Sequence, residues 1–250
     1  MSRLFDRTAL EETLLELEPW KQDAYTKLGD MIADEENTYP CVPARVAFLS
    51  NELRYGFIDS PTRERAPMQL ACLLKQYGQI SRQTGKYASI AIVSEITDTT
   101  LSIEQYEHMF WDLLSRTTAF DETEWPTEIP KDPAYNKWEF CFNGEPYFAF
   151  CATPVHALRK SRHFPYLLLA FQPRFVFEEI NDSTRLGRNL KKQIRKRLAA
   201  YDEIPTHPAL KWYGDEQNLE WKQYFLRDDD STPSTCPFLH HTKEWEKPKT

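Results

Sequence analysis

The segment Cys151-Ala-Thr-Pro-Val-His156-Ala-Leu-Arg159-Lys-Ser-Arg162-His163 places one imidazole three residues before one guanidinium and six before another. On a helical turn His156 and Arg159 would share a face, with Arg162 close by. A neutral imidazole is a metal ligand, and fixed guanidiniums clamp anions. Those are the two functions a heme site needs, an axial ligand for iron and donors for the propionates. The same residues also read as a polar loop after a strand, carrying a surface histidine and two solvated arginines.

Cys41 offers a second chemistry. It lies between Pro40 and Pro43, at the entry to a predicted helix. A thiolate there would be stabilised by the helix N-terminus, which suits a metal ligand or a nucleophile. A buried, inert thiol is the alternative. The run Cys236-Pro237-Phe-Leu-His240-His241 could bind metal through thiolate and imidazole, but it lacks the fourth ligand of a closed zinc site. It also resembles short heme-responsive motifs, or is simply part of a polar tail. The basic run from Arg185 to Arg197 is either an anion- or RNA-binding helix or the solvated face of an amphipathic one. Glu35-Glu36 and Asp228-Asp229-Asp230 lie in polar runs and read as solvated loop charge.

Composition narrows the field. No G-x-G-x-x-G or G-x-x-x-x-G-K-[ST] occurs, and 7 Gly stand against 17 Pro, so a Rossmann or P-loop enzyme is not expected. No G-x-S-x-G elbow supports a hydrolase of that type. The net charge of −7 argues against general nucleic-acid binding. The N-terminal residues lack a signal-peptide core, and no apolar run approaches the roughly 20 residues of a membrane span. Five widely spaced cysteines do not form a disulfide framework. A reduced, cytoplasmic protein with no membrane partner is expected.

The elements that must position these residues follow from periodicity. Thr8-Ala-Leu-Glu11 reads as a capping box before Leu10, Leu14, Leu15 and Leu17. Ala24, Leu28, Met31 and Ile32 continue at helical spacing, and Val46, Leu49 and Leu53 repeat it after Pro43. Arg54–Ile58 and Tyr87–Val93 read as strands with a helix from Ala66 to Gln79 between them. Ser102-Ile-Glu-Gln105 opens another capped helix. Trp138–Phe142, Asn143-Gly144 and Tyr147–Cys151 read as a hairpin whose loop Glu145-Pro146 lengthens. A third strand, Pro165–Phe171, then the helix Arg185–Tyr201, then a short strand Trp221–Leu226 complete the pattern. The expectation is one α+β domain over residues 1–250, a mostly antiparallel central sheet with flanking helices and an irregular tail from about 228.

Several segments taken together resemble the YqcI/YcgG family of bacterial proteins. They are Tyr39-Pro-Cys41, Arg54-Tyr-Gly-Phe-Ile58, His156 to Arg162 leading into Leu167-Leu-Leu-Ala-Phe-Gln172-Pro-Arg174, the basic helix ending in Tyr201-Asp202, and Glu220-Trp-Lys-Gln-Tyr-Phe-Leu226. Their order spans roughly residues 39–240. Family members with an assigned activity are heme proteins that N-hydroxylate guanidino or related nitrogen groups. The resemblance implies heme b, an external electron donor and a small guanidino or amine substrate. It makes His156 the preferred axial ligand with Cys41 as the rival, and Arg159 and Arg162 the propionate partners. Gln172 and Arg174 are inferred to line the pocket, and Glu139 is a candidate carboxylate for a cationic substrate. A non-catalytic heme carrier or sensor is the alternative, and a nucleic-acid module using the basic helix a third.

Overall fold

Apolar spacing builds an N-terminal helical layer first. In the computed structural model, which describes residues 2–95, 100–178, 180–181, 183–213 and 215–239, it forms α1 (Arg7–Thr13), α2 (Pro19–Ala33) and α3 (Val42–Leu49). The cap of α1 is Asp6, which accepts the Ala9 N–H at 2.8 Å, so the expected Thr8–Glu11 box is displaced by a better-placed acceptor two residues earlier. Ala24, Leu28 and Ile32 form the buried stripe of α2. Leu53, expected to continue the third helix, instead begins β1 (Leu53–Ile58), after Asn51 reverses the chain with φ 57°.

A crossover through α4 (Ala66–Thr84) leads to β2 (Ser89–Ser94), parallel to β1. Gly56 in β1 permits this packing, since a Cβ there would lie 2.6 Å from the side chain of Leu73. Next comes α5 (Ile103–Thr117), whose Ser102–Gln105 capping box is formed in both directions. The hairpin β3 (Phe140–Phe142) and β4 (Glu145–Ala152) follows. Its loop is shorter than expected. Phe142 pairs with Glu145, leaving only Asn143 and Gly144, both at positive φ, in the turn that right-twisted strands prefer. β5 (Leu167–Pro173) then inserts antiparallel between β2 and β4, giving the order β1-β2-β5-β4-β3. The fold is thus a single α+β sheet structure, mostly antiparallel with one parallel pair. The last helix is α6 (Arg185–Tyr201). The expected strand at Trp221–Leu226 is a 3-10 turn at Glu220–Gln223, because this edge packs across the sheet instead of pairing along it.

The two sheet faces differ. Ile90, Ile92, Tyr147, Ala149, Cys151, Leu167, Leu169 and Phe171 pack against α4 and α5 in the larger core. Tyr55, Phe57, Ala91, Val93 and Leu168 of the other face pack against α1–α3. Beyond them, on the β4–β5 half of that second face, Phe148, Phe150 and Gln172 front a cavity rather than a packed layer. Residues 228–239 contain no helix or strand, yet they dock: Phe238 is buried against Trp138 and Phe140. Among the described residues no helix is long and apolar enough to cross a membrane.

Candidate functional site

The cavity has a volume of about 300 Å³, within the range of small-molecule sites. Four parts of the chain enclose it. Tyr39–Cys41 and Pro43 enter from the start of α3, and Phe148, Phe150 and Gln172 form the sheet floor. Ile194 and Leu198 of α6 supply an apolar wall, and Trp212, Tyr213 and Glu220 close the far end. Apolar surface dominates, and among the described residues six cations (Arg159, Arg162, Arg174, Lys191, Arg195 and Lys211) and two carboxylates (Asp202 and Glu220) are set into it.

His156, Arg159 and Arg162 do not share a helix. The loop after β4 turns at Thr153–Leu158 and closes in a 3-10 turn at Lys160–Arg162. His156 is 2 % exposed. Its Nδ1 accepts from Thr153 Oγ1 at 2.8 Å and its Nε2 donates to the Leu226 carbonyl at 2.8 Å. A carbonyl can only accept, so the ring is the neutral Nε2–H tautomer. Burial pushes its pKa down to about 4. Both nitrogens are thus spent on the fold, and His156 is not among the residues lining the cavity. An axial-ligand role for His156 would require one of these two bonds to break.

The two arginines are likewise committed. Arg159 Nε donates to the Arg227 carbonyl at 2.8 Å and Nη1 to the Pro205 carbonyl at 3.1 Å, while Nη2 pairs with Asp230. Arg162 donates to the carbonyls of Tyr224 and Gln223 at 2.9 Å each and of Cys151 at 3.3 Å, and lies over the Phe150 ring. Burial lowers its pKa to about 10, leaving it cationic at neutral pH. Both line the cavity, and their donors also tie the loop after β4 to the C-terminal segment. Asp228, expected as loop charge, completes this knot. It accepts the N–H groups of Ala157, Leu158 and Arg159 at 2.8–3.0 Å. Burial acts to raise its pKa, but these donors outweigh it and hold the carboxyl below its usual range.

Cys41 is where the chemistry opens to the cavity. It caps the N-terminus of α3, is half-buried, and lines the space. Burial raises its thiol pKa, while the Ala44 N–H and the nearby Arg162 charge pull it down. A thiolate formed here therefore has a donor and a cation waiting for it.

At the opposite end Arg174 forms a bidentate ion pair with Glu139, Nε to Oε2 at 2.6 Å, and lies over the ring of Tyr213. Glu139 is fully buried in this pair and is not a cavity-lining residue. It is therefore not the free carboxylate expected. Glu220, which sequence reasoning placed at the head of a strand, does line the cavity. Its Oε2 accepts from Asn218 Nδ2 at 3.0 Å, and its Oε1 stands 4.0 Å from Arg174 Nη2. Burial raises its pKa, opposed by Arg174 and Asn218. Gln172 lies in the floor, and its Nε2 is buried without a hydrogen-bond partner among the described residues.

The basic helix contributes Lys191 and Arg195 to the cavity wall, with Lys191 Nζ 3.9 Å from the Trp212 ring centroid and Arg195 Nη2 donating to the Leu210 carbonyl. Cys236 packs against the main core, where burial pushes its thiol up to about 12. Its companions His240 and His241 lie outside the described residues. Glu220 and Asn218 were missed from sequence. The available signal was a carboxylate heading the aromatic run Glu220-Trp-Lys-Gln-Tyr-Phe, where a solvated acid has no reason to be.

The chain is 49% identical to Bacillus subtilis (strain 168) YqcI, covering 100% of both chains, and 47% identical to YcgG of the same organism, covering 98% of both. It is 31% identical to Streptomyces lavendulae DcsA, provisionally named an N(omega)-hydroxy-L-arginine synthase, over 89% of this chain and 85% of that one. No solved structure matches. The family's sequence profile matches residues 28–239, which takes in Cys41, the knotted loop and Glu220 alike, and the chain belongs to the YqcI/YcgG family.

Proposed function

We propose that this chain is a heme-dependent oxygenase that N-hydroxylates a small guanidino compound, with the Cys41 thiolate as the iron ligand. The observation that carries the reading is the cavity itself. One cysteine stands at its helix-capped end, apolar walls lie between, and a buried carboxylate stands at the other end. The donor set fits the group: a sulfur ligand, aromatic and aliphatic walls for a macrocycle, and Lys191 and Arg195 on α6 as the cations for its carboxylates. Heme seated there would supply dioxygen activation, with two electrons from an external reductant and one oxygen atom leaving as water.

The protein's own part is positional. Burial raises the Cys41 thiol pKa overall, so iron would have to displace its proton, and the Ala44 N–H and Arg162 would then hold the resulting thiolate. Phe148, Phe150, Phe177 and Leu198 exclude water from the space between sulfur and substrate. The loop knot around Asp228 keeps Arg162 in place without spending its charge on a carboxylate. The name of the Streptomyces lavendulae relative supports a guanidino substrate. The five free thiols suit a reducing compartment, and we place the enzyme in the cytoplasm. The carrier or sensor alternative draws nothing from Cys236-Pro237, which is packed into the core.

The test is a hemin titration of the purified protein followed by reduction under carbon monoxide. Wild type should saturate at one heme per chain with the Soret position of thiolate ligation, and Cys41→Ala should lose it. His156→Gln, if folded, should keep it. Loss in the His156 variant with retention in Cys41→Ala would reverse the ligand assignment. Absence of saturable binding in folded wild type would remove heme altogether. Turnover is then checked by mass spectrometry for an L-arginine product heavier by one oxygen atom.

A further inference from the structure

Two carboxylates at the far end of the cavity share one guanidinium. Arg174 spends its bidentate face on Glu139, and Glu220 Oε1 is left 4.0 Å from Arg174 Nη2, beyond hydrogen-bond reach. Glu220 is 6% exposed and no described residue donates to that oxygen. Its other oxygen is fixed, since Asn218 donates to it and is itself held by Gln223 and the Trp212 carbonyl. The wall is thus built rigidly around one acceptor to which no described residue donates a hydrogen bond. Arg174 and Lys191 act on Glu220 only at longer range, the Lys191 ammonium sitting over Trp212. A buried carboxylate so placed gains from a cation that also donates a hydrogen bond to it.

A second observation points the same way. Gln172 is 9% exposed, lines the same cavity, and leaves its Nε2 without a partner. A buried amide with an unmet end costs free energy unless a ligand meets it. Turning the amide over about its last torsion offers Oε1 in place of Nε2, so Gln172 can serve either a donor or an acceptor on that ligand.

We propose that Glu220, braced by Asn218 and flanked by Arg174 and Gln172, is the subsite that receives the cationic guanidinium of the substrate. The subsite rests on the guanidino reading of the cavity and names the residue that imposes it. A neutral urea of the same shape cannot supply that charge, so the wall discriminates by charge as well as by shape. Raising of the Glu220 pKa by burial means that a cation arriving at Oε1 displaces any proton held there.

Calorimetric titrations of L-arginine, agmatine and L-citrulline into the hemin-loaded and hemin-free protein test this. Wild type should bind the two guanidinium compounds at least roughly tenfold more tightly than citrulline. Glu220→Gln should erase that preference with its circular-dichroism spectrum and hemin affinity unchanged, and Glu220→Asp should weaken binding while keeping the preference. Arginine binding to wild type below neutral pH should release protons, read from buffers of different ionisation enthalpy, and Glu220→Gln should abolish the release. If Glu220→Gln retains the preference and the release, the subsite is elsewhere and the guanidino reading survives. If wild type binds citrulline as well as arginine, charge selection is overturned. If none of the three binds to protein that loads hemin, the guanidino reading falls with it.

Discussion

The two faces of the β4–β5 hairpin carry alternate residues of the same strands, yet one is sealed and the other hollow. Tyr147, Ala149, Cys151, Leu167, Leu169 and Phe171 meet α4 and α5 and are fully buried. Phe148, Phe150 and Gln172 face α6 and the cavity, and the two phenylalanines are only half-buried. A period of two forces the chain to make both faces at once. What separates them is the covering helix. The stripe of α5 carries Phe110, Trp111, Leu113 and Leu114, which fill their face, whereas the apolar side of α6 is narrow and interrupted by cations. The cavity is the volume that α6 does not fill.

The sharpest way to break this contrast is one substitution made on both sides. Leu169→Ala on the sealed face should cost about 2–5 kcal/mol in urea unfolding, through lost transfer energy and a new void. Leu198→Ala on α6 should cost less than about half as much, because its neighbours already border open space. Equal costs would mean that the hollow face closes up in solution.

The wall behind the cavity should behave as core, and acid tests it. Unfolded, His156 titrates near 6.5, whereas burial holds it at about 4 in the fold. Between those values the unfolded chain binds a proton that the native one refuses. Stability is therefore full above pH 6.5 and falls by roughly 3 kcal/mol as pH drops to 4. Urea midpoints from pH 7 to pH 4.5 should show this fall in wild type. A folded His156→Asn variant should be less stable at pH 7 and should lose that component of the pH dependence.

The smallest effect should come from the cavity floor. Gln172→Leu removes an unmet buried donor and should change stability by less than about 1 kcal/mol. It should also weaken L-arginine binding measured by calorimetry. A cost above about 2 kcal/mol would show that the floor is built for the fold and not for a ligand.

Much of this was readable from residue order. Periodicity located six helices and the strands of the sheet, because burial on one face imposes it. The failures share a cause. The strand expected at Trp221–Leu226 and the helical turn expected around His156–Arg162 are two halves of one knot, tied by Arg162 to the Gln223 and Tyr224 carbonyls and by Asp228 to three amides. Bonds across some 60–70 residues leave no local pattern. The same holds for the site. Cys41 was legible from its helix-entry position, whereas Glu220 was hidden because its partners, Asn218 and Arg174, acquire meaning only in three dimensions. His156 was ambiguous because a histidine beside arginines reads alike as a ligand and as a satisfied core residue.

The cavity walls come from residues 39–43, 148–181 and 191–226, distant stretches of one chain. During synthesis from the N-terminus, the sheet floor and Cys41 exist well before Glu220 has been made. Sealing of the far end by the Glu220–Gln223 turn must wait until the last tenth or so of the chain leaves the ribosome. Until then the half-built floor exposes Phe148 and Phe150 to water and to other chains. Any apolar ligand of the cavity present at that stage would cover those rings, and folding yield would then depend on its supply.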